Sequence, residues 1–390
     1  MLAAVAWTLA LAAIGYLVMT AVTGTMLDLH VYRSGGQAIL HGANLYAIRA
    51  ADNLPFTYPP VSAILSVPLA ILPFVADKIG WIAVVLASLM LAVRAGFRPL
   101  LDRAGGAAPA VFPVILAIAA YLQPVMQGIG FGQVDLVLLG LCLTDCMATA
   151  PRWPRGLLIG LATAIKLMPG VFVIYLLITG RRRAAGIAAL SFAGLTALAW
   201  GISPANSATY WTNAIFQTGR LGGNGSAANQ SLRGIVLRVH ADVAPNLVWL
   251  PLVLIVGIAG FAMARACQQR GQELAGITIT GLLGALLSPV GWIHHLCWVV
   301  LAIGVVTGDG RVARRVLPAA LTTALFLSIL PTWAEHTQSA AQQASIPGFL
   351  MENSFGLAAL ALIPLIYWLG HSGSEVSVVT APAEAAPFLS

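Results

Sequence analysis

The stretch DLHVYRSGGQAILHGANLYAIRAADNLPFTYPP, Asp28–Pro60, decides how this chain folds. It is a polar, aromatic-rich interruption between two apolar runs, in a chain of which only 8% of the residues are charged. Within it, Leu29, Tyr32 and Ile39 recur at helical spacing. The stretch therefore predicts a short helix that lies on a membrane surface, with Asp28 at or just before its start.

The composition defines the class of protein. Of 390 residues, 59% are hydrophobic, and the mean hydropathy is +0.88. Soluble domains carry about 25% charged residues, so this chain belongs in a membrane. We predict an all-α polytopic membrane protein with one integral domain over residues 1–370. Residues 371–390 have no apolar periodicity, which predicts a disordered cytoplasmic tail.

Apolar runs of membrane-spanning length recur along the whole chain. They predict a bundle of about twelve transmembrane helices. The predicted spans are Ala3–Thr23, Val61–Phe74, Ile79–Leu91, Val111–Met126, Val134–Ala148, Gly156–Ile178, Ala185–Ile202, Leu247–Ala266, Leu274–Leu287, Leu296–Val306, Val316–Leu330 and Phe355–Leu369.

Arginine placement predicts the orientation of these spans. The clusters Arg181–Arg183 and Arg311–Arg315 lie in short loops, which the positive-inside rule assigns to the cytoplasm. The loops with Asp28, Asn229–Arg233 and His294-His295 then share the external face of the plasma membrane. The net charge of +7 is explained by this orientation and by membrane lipids, so no nucleic-acid partner is predicted.

One part of this topology stays open at the level of the sequence. Arg94, Arg98 and Arg103 would lie on the external face, against the positive-inside rule. A broken or re-entrant helix near Gly128–Asp135 would explain the discrepancy.

Asp28 is the first candidate for chemistry, and it has two interpretations. An aspartate at a helix start is a favoured N-cap. An acid in an external loop of so apolar a protein is equally suited to act as a general base.

Lys166 lies in an apolar run, followed by Pro169. An ammonium at that depth is costly unless it is paired or faces a wet cavity. We predict an anionic headgroup as its partner, the alternative being a lysine that extends to the membrane surface. Pro169 should open the backbone hydrogen-bond ladder nearby.

Two further polar segments are candidates for binding. His294 and His295 follow a Pro- and Gly-containing break, and one imidazole could donate to a phosphate or to Asp28. Asn229, Gln230 and Arg233 follow a glycine-rich run and suit phosphate or sugar hydroxyls. An ordinary loop is the alternative for both segments.

Six motifs, taken in order, resemble those of glycosyltransferase family 87 in the GT-C superfamily, whose members use polyprenyl phosphate mannose. They cover the chain from its first span to its tenth. The motifs are Asp28-Leu29-His30-Val31-Tyr32, Leu54-Pro55-Phe56-Thr57-Tyr58-Pro59-Pro60, Gly132-Gln133-Val134, Ala164-Ile165-Lys166-Leu167-Met168-Pro169, Asn229-Gln230-Ser231-Leu232-Arg233-Gly234 and Ser288-Pro289 through His294-His295.

The resemblance implies a GT-C-like bundle and inverting transfer of mannose to a membrane glycolipid, such as a phosphatidylinositol mannoside, with an α-(1→2) linkage. Asp28 matches the family's general base. The residues implied for the donor phosphate are His294, His295, Lys166 and Arg233. Those implied for substrate binding are Tyr32, Tyr58, Asn229 and Gln230.

No cofactor and no metal are expected. Some GT-C enzymes carry an Asp-x-Asp pair in the first external loop, whereas His30 occupies the second position here. Two alternative functions remain. A polyprenyl-phosphate arabinofuranosyl or other pentosyl transferase would share the same motifs, and a secondary transporter would use Lys166 and Asp135 as a coupling pair.

Overall fold

A computed structural model describes residues 1–50, 53–239 and 245–371 of the chain. The predicted tail therefore lies outside the described residues, apart from His371. The α-helices are α1 (Leu2–Thr23), α2 (Leu27–Leu40), α3 (Pro60–Leu65), α4 (Val67–Ile71), α5 (Phe74–Gly96), α6 (Arg98–Ala104), α7 (Ala108–Tyr121), α8 (Gln123–Phe131), α9 (Asp135–Met147), α10 (Leu157–Ile165), α11 (Val171–Ile178), α12 (Arg182–Ile202), α13 (Pro204–Thr212), α14 (Leu232–Val239), α15 (Pro245–Gln269), α16 (Glu273–Leu287), α17 (Val299–Thr307), α18 (Ala313–Leu327), α19 (Leu330–Thr337), α20 (Ala340–Gln343), α21 (Ile346–Glu352) and α22 (Ser354–His371). Short 3₁₀-helices are Gly105–Ala107, Met168–Gly170, Ala214–Phe216, Thr218–Leu221 and Ile293–Trp298.

The prediction of an all-α polytopic membrane protein is confirmed. The described residues contain no β-strand, only two isolated bridges. Five of their helices are long and apolar enough to cross a membrane, or up to eight if each bent pair is one span. Large apolar side chains such as Leu9, Leu190 and Leu254 point outward, as expected of helices solvated by lipid. The number of about twelve spans stays a prediction.

Helix α2 confirms the short helix predicted after the first span. It ends where Gly42 adopts a left-handed conformation, and Arg33 donates to Asp77 and to the Leu69 carbonyl, which fixes α2 against α4 and α5. The N-cap interpretation of Asp28 is wrong. Met26 is the N-cap residue and Asp28 lies in the first helical turn, so its carboxylate does not cap the helix.

The predicted broken helix near Gly128–Asp135 is also confirmed. Helices α8 and α9 meet at an angle of 114°. Gly132 turns the chain with a φ of 72°, and a Cβ there would lie 2.8 Å from the Cβ of Leu29. The break therefore needs a glycine, and it places Gln133 against Tyr32 of α2.

A second break corrects the predicted continuous span Gly156–Ile178. Helix α10 ends at Ile165, Lys166 has an extended backbone, and Met168–Gly170 form a 3₁₀ turn before α11. Pro169 lies in that turn, consistent with its missing N–H. Lys166 thus stands at a helix end inside the bundle, where its side chain has room to reach other elements.

The arginine-rich loops lie together at one end of the bundle, which bears on the open part of the topology. Arg103 donates to the Asp309 carbonyl at 2.9 Å, so it shares a face with the Arg311–Arg315 loop. Arg181 pairs with Glu273 at 2.6 Å at the same end, where α16 begins. Because α9, α16 and α17 run between this end and the histidine segment, the histidines lie at the opposite end.

Helices α5 and α17 pack closely where Gly96 meets Gly304, and this contact generates a test. A Cβ on Gly304 would lie 2.5 Å from the Gly96 carbonyl carbon. Gly304→Ala should therefore lower stability by about 1–3 kcal/mol through overpacking. Gly186→Ala is the matched control, because nothing lies within 4 Å of its added methyl. Thermal unfolding in detergent compares them, and equal midpoints would contradict the packing argument.

Candidate active site

One large cavity brings together five of the predicted site residues. It has a volume of about 890 Å³ and lies at the end of the bundle opposite the arginine loops. Asp28, Tyr58, Lys166, His294 and His295 all line it. These residues come from distant parts of the chain and meet because α2, the break after α10 and the 3₁₀-helix Ile293–Trp298 converge there.

Asp28 is the sole carboxylate on the cavity wall among the described residues. Burial raises the pKa of Asp28 to about 6, opposed by the charge of Lys166 and by a hydrogen bond from Gln133. Its place in the first turn of α2 also exposes it to the positive end of the helix dipole. A carboxyl group with such a pKa is suited to accept a proton near neutral pH.

Gln133 is a site residue that the sequence motif contained but whose role went unrecognised. Its Oε1 accepts from the Tyr32 hydroxyl at 2.9 Å, and the Tyr32 and Tyr58 hydroxyls are 3.1 Å apart. Tyr58 and Gln133 line the cavity, whereas Tyr32 is buried behind them and does not line it. Tyr32 therefore supports the site without reaching the cavity, in contrast to its predicted contact with substrate.

Lys166 has a partner within the protein. Its Nζ donates to Asp135 Oδ1 and Oδ2 at 2.8 and 3.0 Å, and to His295 Nε2 at 2.9 Å. The side chain of Asp135 is buried behind the wall. The partner of Lys166 within the protein is thus Asp135, where the sequence predicted an anionic headgroup. Asp135 balances the charge of Lys166. These are the two residues that the transporter alternative paired.

The two histidines surround the same carboxylate. Their Nε2 atoms lie 3.9 Å (His294) and 4.0 Å (His295) from Asp135 Oδ2, too far for hydrogen bonds. His294 Nε2 is buried and has no hydrogen-bond partner among the described residues. It is therefore an imidazole nitrogen available to a ligand in the cavity.

Asp135, His294 and His295 also form a group with the spacing of a metal site, their ligand atoms all lying within 4.8 Å of one another. The Lys166 ammonium, however, is within hydrogen-bond distance of two of the three. A lysine cation thus already occupies part of the space that a divalent ion would need.

Asn229 and Gln230 are not brought to the cavity. Asn229 Oδ1 accepts from the Gly291 backbone N–H at 2.9 Å, and the Gln230 amide donates to the carbonyls of Ala227 and Glu352. Both side chains are buried and committed to backbone groups. They tie the loop before α14 to the segment that carries the histidines, so the predicted substrate contacts are replaced by a supporting role.

Arg233 also stands behind the wall. Its Nη1 donates to Thr218 Oγ1 at 3.3 Å and its guanidinium lies 5.8 Å from the Trp249 ring centre. Thr218 lines the cavity, but Arg233 does not. A direct contact between Arg233 and the donor phosphate is therefore not part of this arrangement.

The chain matches one family of known proteins. The model of glycosyltransferase family 87 matches residues 56–289, more than half of the chain, although Asp28 and the histidines lie outside the matched range. No solved structure matches the chain.

Two curated relatives cover most of the chain. One, from Mycobacterium tuberculosis (strain ATCC 25618 / H37Rv), is 32% identical over 338 residues, which are 82% of this chain and 79% of the relative. The other, from Mycolicibacterium smegmatis (strain ATCC 700084 / mc(2)155), is 33% identical over 356 residues, 80% and 78% of the two chains. Both are named polyprenol-phosphate-mannose-dependent alpha-(1-2)-phosphatidylinositol mannoside mannosyltransferase.

A third relative, from Mycobacterium tuberculosis (strain CDC 1551 / Oshkosh), is 33% identical over 297 residues, 73% of this chain and 67% of the relative. It is named polyprenol-phosphate-mannose-dependent alpha-(1-2)-phosphatidylinositol pentamannoside mannosyltransferase. The protein is thus a membrane-embedded glycosyltransferase. It belongs to glycosyltransferase family 87.

The Lys166–Asp135 pair generates a stability test. Removing one partner leaves a buried charge, so Asp135→Leu alone or Lys166→Met alone should cost about 3–5 kcal/mol. The double variant should cost less than either, because no charge is left unpaired. Thermal unfolding of all four proteins in detergent measures the coupling. Additive losses would contradict the pairing.

Proposed function

We propose that the protein transfers mannose from polyprenyl phosphate mannose to a membrane glycolipid, a phosphatidylinositol mannoside or a related lipoglycan, and forms an α-(1→2) linkage. The observation that carries the proposal is the cavity in which one carboxylate, Asp28, shares the wall with Lys166 and His294. The family and the names of its relatives support the choice of donor and acceptor.

Asp28 acts as the general base in this proposal. Its carboxylate removes the proton from the acceptor's 2-hydroxyl while that oxygen attacks the anomeric carbon of the donor mannose. The bond from that carbon to the phosphate oxygen breaks on the opposite face, and its electron pair leaves with the lipid phosphate. One displacement converts a β-linked donor into an α-mannoside through an oxocarbenium-like transition state.

The leaving phosphate gains negative charge as this bond breaks, and the cavity offers two kinds of stabilisation. His294 Nε2, if it carries its proton, is a donor without a partner among the described residues. Lys166 supplies a fixed positive charge that Asp135 and His295 hold in place. Groups held in position before the reaction stabilise developing charge without reorganisation. His295 acts in this scheme by orienting Lys166.

We further propose that the reaction needs no divalent metal and takes place on the external, periplasmic side of the plasma membrane. The ammonium of Lys166 beside Asp135 and His295 supports the first statement. The position of the cavity at the end remote from the arginine loops supports the second, since such loops face the cytoplasm.

The decisive experiment compares transfer of labelled mannose by the wild type and by Asp28→Asn, with and without a chelator. The asparagine is isosteric but takes up no proton, so transfer should fall by at least about 100-fold, the lower end for general base catalysis. Asp102→Asn, at an exposed aspartate of α6, is the matched control and should transfer normally.

Near-normal transfer by folded Asp28→Asn would remove Asp28 from the mechanism, and loss of transfer in the chelator would remove the metal-free scheme. If the wild type transfers no mannose, the alternative donor is tested next. That alternative predicts transfer of a pentose from a polyprenyl phosphate pentose.

The pKa of Asp28 predicts the acid limb of the pH profile. The base must be deprotonated, so kcat/KM should fall as the pH drops below about 6. Gln133 donates a hydrogen bond that lowers this pKa, and Gln133→Leu should therefore move the limb to higher pH. The profile of kcat/KM for both proteins checks this. A limb that stays in place would show that another group titrates.

A further inference from the structure

Two arginines on the cavity wall have no role in the mechanism described above. Arg49 lies in the loop between α2 and α3, and Arg220 lies in the 3₁₀-helix Thr218–Leu221. Together with Lys166 they are the lysine and arginine residues that line the cavity in the described part of the chain. Neither arginine forms an ion pair with a described carboxylate.

The two arginines are held at the junction of two loops. Arg220 Nη2 donates to the Tyr46 carbonyl at 2.7 Å, and Tyr46 precedes Arg49 by three residues. The backbone at Arg49 is fixed by a bridge to Pro55 and by the hydrogen bond from Ala50 N to the Leu54 carbonyl at 2.8 Å. The junction fixes the backbone, while the Arg49 side chain is exposed and able to reach a ligand.

The described residues of the cavity wall carry more positive than negative charge, which favours a second bound anion beside the donor phosphate. Asp135 neutralises Lys166 from behind the wall, and Asp28 is the sole wall carboxylate among the described residues. Two guanidinium groups against one carboxylate leave an excess of positive charge. In addition, Arg220 Nε is buried with no hydrogen-bond partner in the described structure, so its N–H is available to an acceptor on a ligand.

We propose that Arg49 and Arg220 bind the phosphodiester of an anionic lipid acceptor and so select acceptors anchored to a phospholipid. The proposal rests on the proposed function, in which the donor phosphate lies against Lys166 and His294. The planar fork of arginine matches phosphate oxygens. A cavity of about 890 Å³ is at the upper end of ligand-site sizes, large enough for the reacting groups of two substrates.

The test compares an anionic with a neutral acceptor. The wild type, Arg49→Gln, Arg220→Gln and the double variant are assayed with a phosphatidylinositol mannoside and with an uncharged alkyl α-mannoside. The ratio of kcat/KM for the anionic over the neutral acceptor should fall about tenfold or more in the double variant, mainly through KM of the anionic acceptor. Arg182→Gln, an exposed arginine at the opposite end of the bundle, should leave the ratio unchanged.

Three results would overturn the proposal. An unchanged ratio would show that the arginines do not recognise acceptor charge. A raised KM for polyprenyl phosphate mannose with an unchanged acceptor KM would assign them to the donor phosphate. If the anionic lipid content of the vesicles changes transfer to both acceptors by the same factor, the two arginines would be assigned to binding of bulk lipid.

Binding of the phosphatidylinositol mannoside without donor, measured by calorimetry in detergent, separates this proposal from the proposed function. Weaker binding by Arg49→Gln supports the arginine site even if no mannose is transferred. Equal binding by the wild type and all three variants contradicts it. Because Arg49 is exposed, its single variant tests the site without the loss of the Arg220–Tyr46 hydrogen bond.

Discussion

The buried pair of Lys166 and Asp135 is the interaction on which the rest of the site depends. An ammonium inside an apolar bundle is tolerated only with a partner, and here the partner is a carboxylate at 2.8 Å. Both residues stand at helix breaks, one after α10 and one at the start of α9. The two breaks therefore have to come together, and His295 completes the arrangement through Lys166.

This pairing gives the two carboxylates of the site different chemistry. Asp135 is bound to an ammonium and shielded from the cavity, so its task is to hold Lys166 in place. Asp28 faces the cavity with no ion-pair partner among the described residues, and burial raises the pKa of its carboxyl to about 6. Two acids thus differ in role because one is neutralised by a neighbour and the other is left to take up a proton.

A frame of polar residues around the cavity keeps the histidine segment in position. The backbone N–H of Gln230 donates to the Gly291 carbonyl at 2.7 Å, and Ile293 N donates to the Ala228 carbonyl at 3.0 Å. Arg238 adds a hydrogen bond from Nη2 to the Asn229 carbonyl at 2.8 Å. These hydrogen bonds satisfy backbone groups of loops buried in the bundle, where water is scarce. The motif Asn229–Gly234 thus belongs to the scaffold of the site.

The sequence by itself determined the features that depend on local pattern. Hydropathy identified an all-α membrane protein, and helical spacing identified α2. Arginine placement indicated the break between α8 and α9, and Pro169 indicated an opened hydrogen-bond ladder after α10. The scarcity of charge also pointed to Asp28 and Lys166, because an isolated charge in an apolar chain needs a reason.

Only the tertiary structure decided which groups meet. Lys166 joins Asp135 across 31 residues and His295 across 129, and Gln133 reaches Tyr32 across 101. It also decided that Asn229 and Gln230 face the backbone and that Arg49 and Arg220 face the cavity. A polar side chain in a loop can satisfy a nearby backbone group or a ligand equally well. Whether it contacts the backbone group or the ligand depends on how distant helices pack, and that packing cannot be deduced from sequence spacing.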